Sequence, residues 1–163
     1  MTMTRSALFG RARRSTALRP PWAIAATHFH SACNGCGDCV KACPEGIVTI
    51  DDDALAQVDF RRGECTFCAE CLRACTRGAL ARMPEGRPWR QLARISARCL
   101  AYARVTCRSC AENCESAALR FLPGAQGCFF PIIDDSLCSG CGACVAVCPV
   151  GAVNIEKPKE AIS

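Results

Sequence analysis

Apolar residues fall along this chain in short bursts, never in long runs. Four bursts trail a cysteine-rich segment: Ile47–Ile50, Ala79–Ala81, Ala118–Phe121 and Ala152–Ile155. Two more, Val58–Phe60 and Phe129–Ile133, precede such segments. Bursts this short, bounded by small residues, predict strands rather than long helices. Within each cysteine segment the closing x2-Cys-x3-Cys stretch predicts the start of a helix. The chain thus reads as repeated strand–loop–helix–strand units, an α+β pattern. No apolar run approaches the ~20 residues of a membrane span. Pro84–Pro88 and Pro123–Gly127 punctuate the chain, and a break near residues 82–88 leaves two cysteine segments on each side.

Composition explains why the bursts are so short. Of 163 residues, 17 are cysteine. Setting these aside lowers the apolar share from 50% to about 39%, below the ~45–50% usual for a globular domain. Aromatics are only 6%. Apolar burial alone would struggle to offset the conformational entropy of such a chain, so the cysteines must supply cross-links. A disulfide scaffold requires an oxidising compartment and a secretion signal. Arg13-Arg14 invites a twin-arginine reading, but Arg19-Pro20-Pro21 interrupts the stretch where an apolar h-region would sit. The odd cysteine count also fits full pairing poorly. The expectation is a cytoplasmic protein with reduced thiols.

The cysteines form four groups. The first is Cys33-x2-Cys36-x2-Cys39-x3-Cys43-Pro44, and the second Cys65-x2-Cys68-x2-Cys71-x3-Cys75-Thr76. The fourth is Cys138-x2-Cys141-x2-Cys144-x3-Cys148-Pro149. The third is a variant, Cys99-x7-Cys107-x2-Cys110-x3-Cys114-Glu115. Only Cys128 stands outside them. Residues 33–50 and 138–155 match at 11 of 18 positions, so the groups are true repeats.

Two-residue gaps let three successive thiolates on a tight loop face three corners of one 4Fe-4S cube. The fourth cysteine, already on a helix, faces away; in bacterial-type ferredoxins it ligates the other cluster of a pair. Structural zinc also uses Cys-x2-Cys, but in pairs rather than triplets. Three clusters follow from the three regular runs, and a fourth from the variant group. Exchange of the fourth cysteines gives four ligand sets: Cys33, Cys36, Cys39 and Cys75; Cys65, Cys68, Cys71 and Cys43; Cys99, Cys107, Cys110 and Cys148; Cys138, Cys141, Cys144 and Cys114. The fold class expected is α+β, as tandem bacterial-type dicluster ferredoxin domains, small and cofactor-dependent: a basic tail over 1–27, one domain over 28–83 and a second over 84–163. Metal-free protein is expected to be largely unfolded.

Charge then changes meaning. The formal net charge is +5, all of it from Arg5, Arg11, Arg13, Arg14 and Arg19, because the remaining acids and bases balance. A basic chain suggests nucleic acid. Four oxidised cubes with their thiolates, about −2 each, would carry the loaded protein to about −3, which removes that reading. No GxGxxG fingerprint, P-loop or spare acid–base pair is present. Electrons must enter and leave through protein partners, and the chain does not read as an enzyme.

Taken together, the ferredoxin runs, the Cys99-Leu-x6-Cys-x2-Cys-x3-Cys variant and the leader Arg19-Pro20-Pro21-Trp22 resemble the NapF family, ferredoxin-type accessory proteins of periplasmic nitrate reductase systems. The resemblance spans about residues 5–155. It implies a cytoplasmic iron–sulfur protein that contacts the nitrate reductase catalytic subunit before export and assists its maturation. Thr76 and Glu115 depart from the pattern, where proline would follow the last cysteine. A detached electron-transfer subunit of another oxidoreductase is the alternative.

Among single residues, Cys128 reads as a buried or tolerated thiol, and His28 and His30 as ordinary polar positions. Trp22 and Trp89 read as packing anchors. Arg87, Arg90, Arg94 and Arg98 recur every three or four residues, a spacing that lines one face of a helix. The N-terminal arginines read either as a disordered tail or as a partner contact.

Overall fold

The computed structural model describes residues 17–82, 87–124 and 127–157. Arg5, Arg11, Arg13, Arg14 and half of the Pro84–Pro88 and Pro123–Gly127 punctuation thus lie outside the described residues. Eleven short elements alternate along the described chain: α1 Ala26–Ala32, α2 Asp38–Lys41, β1 Val48–Ile50, β2 Ala56–Val58, α3 Glu70–Ala74, β3 Leu92–Ile95, α4 Ser109–Glu112, β4 Leu119–Pro123, β5 Phe129–Ile133, α5 Ala143–Ala146 and β6 Val153–Glu156. Four of the helices arise inside the cysteine groups, where the spacing placed them. Each has only one turn or so, far below the length at which a helix is stable alone, so tertiary contacts hold them.

The strands pair antiparallel in three two-stranded sheets, β1–β2, β4–β5 and β3–β6. The first two are local hairpins with registers Val48↔Val58 and Leu119↔Ile133. The third joins distant segments, Leu92↔Glu156 to Ile95↔Val153, and closes the second half of the molecule. Its counterpart in the first half is reduced to a single antiparallel bridge, Ala23↔Leu80. The Ala79–Ala81 burst is therefore an edge contact, not a strand.

That bridge corrects the extent of the tail. Residues 18–25 are built into the fold: the Val58 amide donates to Leu18 O (2.8 Å), the Ile24 amide to Ala79 O (3.1 Å), and the Ala81 amide to Trp22 O (2.9 Å). Pro20 and Pro21 are among the most deeply buried side chains, with Phe29 and Ile47. Arg19 donates to Asp51 Oδ2 (2.6 Å) and to Ala56 O (3.1 Å), and its guanidinium lies 5.4 Å from the Phe29 ring centroid. The leader had the basic composition of a tail, but burial with a paired carboxylate neutralises its charge.

The arginine helix is corrected as well. Arg94 lies on strand β3 and chelates Asp135 with both Nη atoms (2.7 and 2.8 Å). Arg87 donates to Cys138 O (3.0 Å), and Arg98 to Gly151 O (2.7 Å). Their spacing mimicked a helix face, while pairing with β6, some 60 positions away, imposed a strand. These arginines tie the linker region to the fourth cysteine group.

One apolar core runs through both halves, from Phe29, Ile47 and Val48 to Leu119, Val153 and Ile155. Trp89 occupies the junction. Its ring meets Phe60 and Phe67 edge-on, with centroids 5.7 Å apart in each pair, and its Nε1 donates to Ser139 O (2.9 Å). Trp89 is thus the packing anchor that the sequence indicated.

Candidate iron–sulfur centres

The fold gathers the thiols into four groups of four. One hollow is walled by Cys33, Cys36, Cys39 and Cys75, with Phe29, Ala56 and Leu80. A second is walled by Cys43, Cys65, Cys68 and Cys71, with Pro21, Trp22 and Ile47. A third is walled by Cys114, Cys138, Cys141 and Cys144, with Ala93, Leu119 and Ile155. The remaining regular ligand positions, Cys99, Cys107 and Cys148, surround Cys110 closely enough to oppose its ionisation. In all four, the fourth cysteine comes from the other member of the pair of groups. This is the exchange that the spacing suggested.

Local backbone produces this arrangement. Helices α2, α3 and α5 each begin at a residue with positive φ: Gly37 (81°), Ala69 (64°) and Gly142 (87°). The reversal turns the second and third thiols of the run toward a common point before the helix carries the fourth away. The variant group achieves its closure differently. The seven residues after Cys99 wind into consecutive tight turns, with the Tyr102 amide donating to Cys99 O (3.0 Å) and the Val105 amide to Leu100 O (3.0 Å). Arg104 carries a φ of 61° in that turn.

The donor set fits an iron–sulfur cluster. Each hollow presents sulfur and apolar side chains. Among the described residues, no three His, Cys, Asp or Glu side chains converge on a point as the ligands of one metal ion would. Four thiols around a hollow suit a polynuclear cluster rather than a single tetrahedral zinc. Backbone amides reach sulfur as well: Ala56 N–H to Cys33 (3.5 Å), Ala93 N–H to Cys138 (3.5 Å) and Ala152 N–H to Cys148 (3.1 Å). Such donors to sulfur tune the potential of a bound cluster.

Five of the metal-free thiols are reluctant acids. Burial, reinforced by Cys33, Cys36 and Cys75, pushes Cys39 up to about 11. Burial, with Cys43, Cys68 and Cys141 nearby, raises Cys65 to about 11. Burial and the facing thiols lift Cys71 and Cys144 to about 12 and Cys110 to about 11. Concentrating sulfur in an apolar interior disfavours negative charge until a cation arrives to share it.

The four sets also stand in a row. Helices α2 and α3 pack against each other, placing Cys39 of the first set beside Cys71 of the second. Helices α4 and α5 pack likewise, placing Cys110 of the third beside Cys144 of the fourth. Between the halves, the Cys65 amide donates directly to Cys141 O (2.8 Å). The spatial order is therefore first, second, fourth, third. Sequence reading paired the groups within each half but held no signal for this central bond, which depends on a junction of Phe60, Phe67 and Trp89.

Other candidates fall outside the row. His28 and His30 are exposed on α1, in keeping with ordinary polar positions. Cys128 is half-buried and lines a cavity of about 270 Å³ that Cys107 also lines. No helix of the described residues is long and apolar enough to cross a membrane.

Comparison with known proteins agrees with the geometry. The family model of the 4Fe-4S dicluster domain matches residues 32–79 and again 103–152. The second match begins after Cys99, so the placement of that residue rests on the fold described above. The chain is 39% identical to the ferredoxin-type protein NapF of Escherichia coli (strain K12) over 93% of both chains. It is 40% identical to the protein of the same name from Haemophilus influenzae, over 88% of this chain and 81% of that one. The methylamine utilization ferredoxin-type protein MauM of Methylophilus methylotrophus is 32% identical over 91% of this chain and 74% of its own.

Proposed function

The chain belongs to the NapF family of ferredoxin-type iron–sulfur proteins, with tandem 4Fe-4S dicluster domains, and on that premise we propose that it holds four clusters and assists maturation of a nitrate reductase catalytic subunit. The ligands would be the four exchanged sets, from Cys33, Cys36, Cys39 and Cys75 through to Cys138, Cys141, Cys144 and Cys114. The domain limits would be 28–83 and 84–163, with residues 18–27 closing the first. The work would take place in the cytoplasm on the precursor of the periplasmic enzyme before export. A bound cluster gives up or accepts one electron at a time.

The chain's own residues then have clear tasks. The thiols hold iron, Ala56, Ala93 and Ala152 amides steady the thiolate charge, and Phe29, Ile47, Leu119 and Ile155 keep water from the hollows. The observation that carries the reading is the closure of four sets by cysteines exchanged between groups, in a chain resembling NapF along nearly its whole length.

Two measurements test it. Iron and acid-labile sulfide after anaerobic purification should reach about 16 of each per chain, and Cys99→Ser should lower both to about 12. The purified holoprotein should bind the signal-bearing precursor of the catalytic subunit, and a strain lacking this protein should accumulate inactive enzyme. The resemblance to a protein named for methylamine utilization supports a second reading, an electron-transfer subunit for another oxidoreductase. Failure to bind the precursor, with four clusters intact, would favour that reading.

A further inference from the structure

We propose that the groove outside the third thiol set is a docking site for a partner-protein segment that presents a carboxylate beside an apolar side chain; this rests on the four-cluster reading above. The groove is the cavity of about 270 Å³ walled by Arg104, Val105, Cys107, Arg108, Phe121 and Phe129. No acidic side chain lines it. Among the described residues neither Arg104 nor Arg108 forms an ion pair.

Of the two cations, Arg108 is held in place by the rings beside it. The Arg108 guanidinium lies 4.4 Å from the Phe129 ring centroid and 6.0 Å from that of Phe121. Stacked in this way it keeps its N–H groups free at the edge, the geometry that grips a carboxylate. Arg104 sits at φ 61°, a conformation that costs a non-glycine residue about 1–2 kcal/mol. Glycine would remove that strain, so a side chain placed there points to a use for it.

The rim is apolar. Val105, which lines it, is 50% exposed, and Phe129 is 42% exposed. Single exposed apolar residues are ordinary, but Val105 and Phe129 share one groove with a stacked cation, a combination that marks an interaction surface. The open, exposed setting suits a protein segment better than a small anion, and the loaded molecule's net negative charge disfavours nucleic acid. The position also fits: Cys107 walls both this groove and the third set, and the third set ends the row. A partner seated here would touch the terminal site.

The test uses anaerobic holoproteins matched for iron content. Binding of the catalytic-subunit precursor is measured for the native chain, for Arg104→Glu/Arg108→Glu, for Arg104→Gly, and for Arg61→Glu as a charge control on the other half. We expect the double reversal to weaken binding at least tenfold at low salt, with the loss shrinking as ionic strength rises. Arg104→Gly should weaken binding while leaving the thermal midpoint unchanged or higher, which a purely structural arginine would not do. Equal binding by all four proteins overturns the groove and leaves the functional reading standing. If the native protein does not bind the precursor, the functional reading fails. The groove is then decided by a fluorescent Glu-Phe-Glu peptide against its Lys-Phe-Lys counterpart: saturable, arginine-dependent binding of the first alone supports it, and any other result overturns it.

Discussion

Gly35 and Gly37 occupy the two-residue gaps of the first cysteine group, and alanine should be tolerated at one and not at the other. Both have positive φ, 66° and 81°, so alanine at either costs about 1–2 kcal/mol in backbone strain. The surroundings separate them. A Cβ at Gly37 would meet nothing within 4 Å, whereas one at Gly35 would stand 2.3 Å from Ala54 O and 3.2 Å from its carbonyl carbon. Those are backbone atoms of a turn that is itself pinned, with the Ala54 amide donating to Asp51 O (3.0 Å). Relief would push that turn outward, and two residues on it carries the amide that reaches Cys33 sulfur (3.5 Å). Overpacking of this kind adds about 1–3 kcal/mol.

Gly37→Ala should therefore lose about 1–2 kcal/mol and Gly35→Ala about 2–5 kcal/mol, or roughly 4 °C against roughly 10 °C in midpoint for a chain of this length. The assay is anaerobic loss of cluster absorbance on heating, at one scan rate for both variants because cluster release is irreversible. Gly35→Ala should also shift the potential of the first site, since the amide on Cys33 moves. The second group supplies the natural precedent: Ala69 holds the position of Gly37 at φ 64°. Equal midpoints for the two variants would refute the argument from contact.

Three further outcomes follow from the same structure. Arg19→Met strands the Asp51 carboxylate, whose side chain is 9% exposed, and should destabilise by about 3–5 kcal/mol; Arg19→Met/Asp51→Asn should recover part of it, and thermal midpoints that ignore both changes would show the pair to be idle. Trp89→Ala should cost about 3–5 kcal/mol through lost packing, while Trp89→Phe keeps an aromatic ring but leaves Ser139 O without its donor, for about 1–2 kcal/mol, both read as denaturation midpoints of the holoprotein. Wherever metal-free protein keeps this fold, Cys39, Cys65 and Cys110 should ionise near 11 and Cys71 and Cys144 near 12. Because folding raises these values above the ordinary 9.0, their neutral form stabilises the metal-free fold fully below pH 9, and that stability is lost as pH rises toward 11–12. Cluster loading, which must displace those protons, should strengthen between neutral pH and pH 9; ultraviolet thiolate titration of metal-free protein that circular dichroism shows to be folded, with all five thiols ionising at the free value, would contradict this.

The grouping of the cysteines was legible in the sequence because the constraint is local. A gap of two or three residues fixes how far successive sulfurs can stand apart, and no distant contact can alter that. The hairpin strand β5 was legible for the same reason, with its partner β4 one turn away. Strand β3 was not. Leu92-Ala93-Arg94-Ile95 has an arginine at a helical spacing from its neighbours, and only β6 decides otherwise. Arg19, Pro20 and Pro21 looked like tail because charge and proline usually mean solvent, yet Asp51 offers the arginine a buried partner. Phe67 at φ 54° was hidden too: the other two regular runs have glycine at that place, Gly35 and Gly140, and nothing in the spacing says that Trp89 will hold the ring there.

The row depends on how closely the halves approach. Two dicluster domains joined by a loose linker would leave the second and fourth sets at a variable distance. Here the Cys65 amide bonds to Cys141 O, so a cysteine of one set touches a cysteine of the next. Such an approach requires the neighbouring surface to be bare, and a Cβ at Gly142 would stand 2.0 Å from the Phe60 ring. Phe60 in turn is clamped by Trp89, whose own nitrogen reaches across to Ser139 O. A chain with few aromatics has spent three of them on this one seam. Apolar packing could have been placed anywhere in the core; its concentration at the point where two pairs of thiol sets become one series indicates that continuity across the seam, and not merely the stability of each half, is what the junction secures.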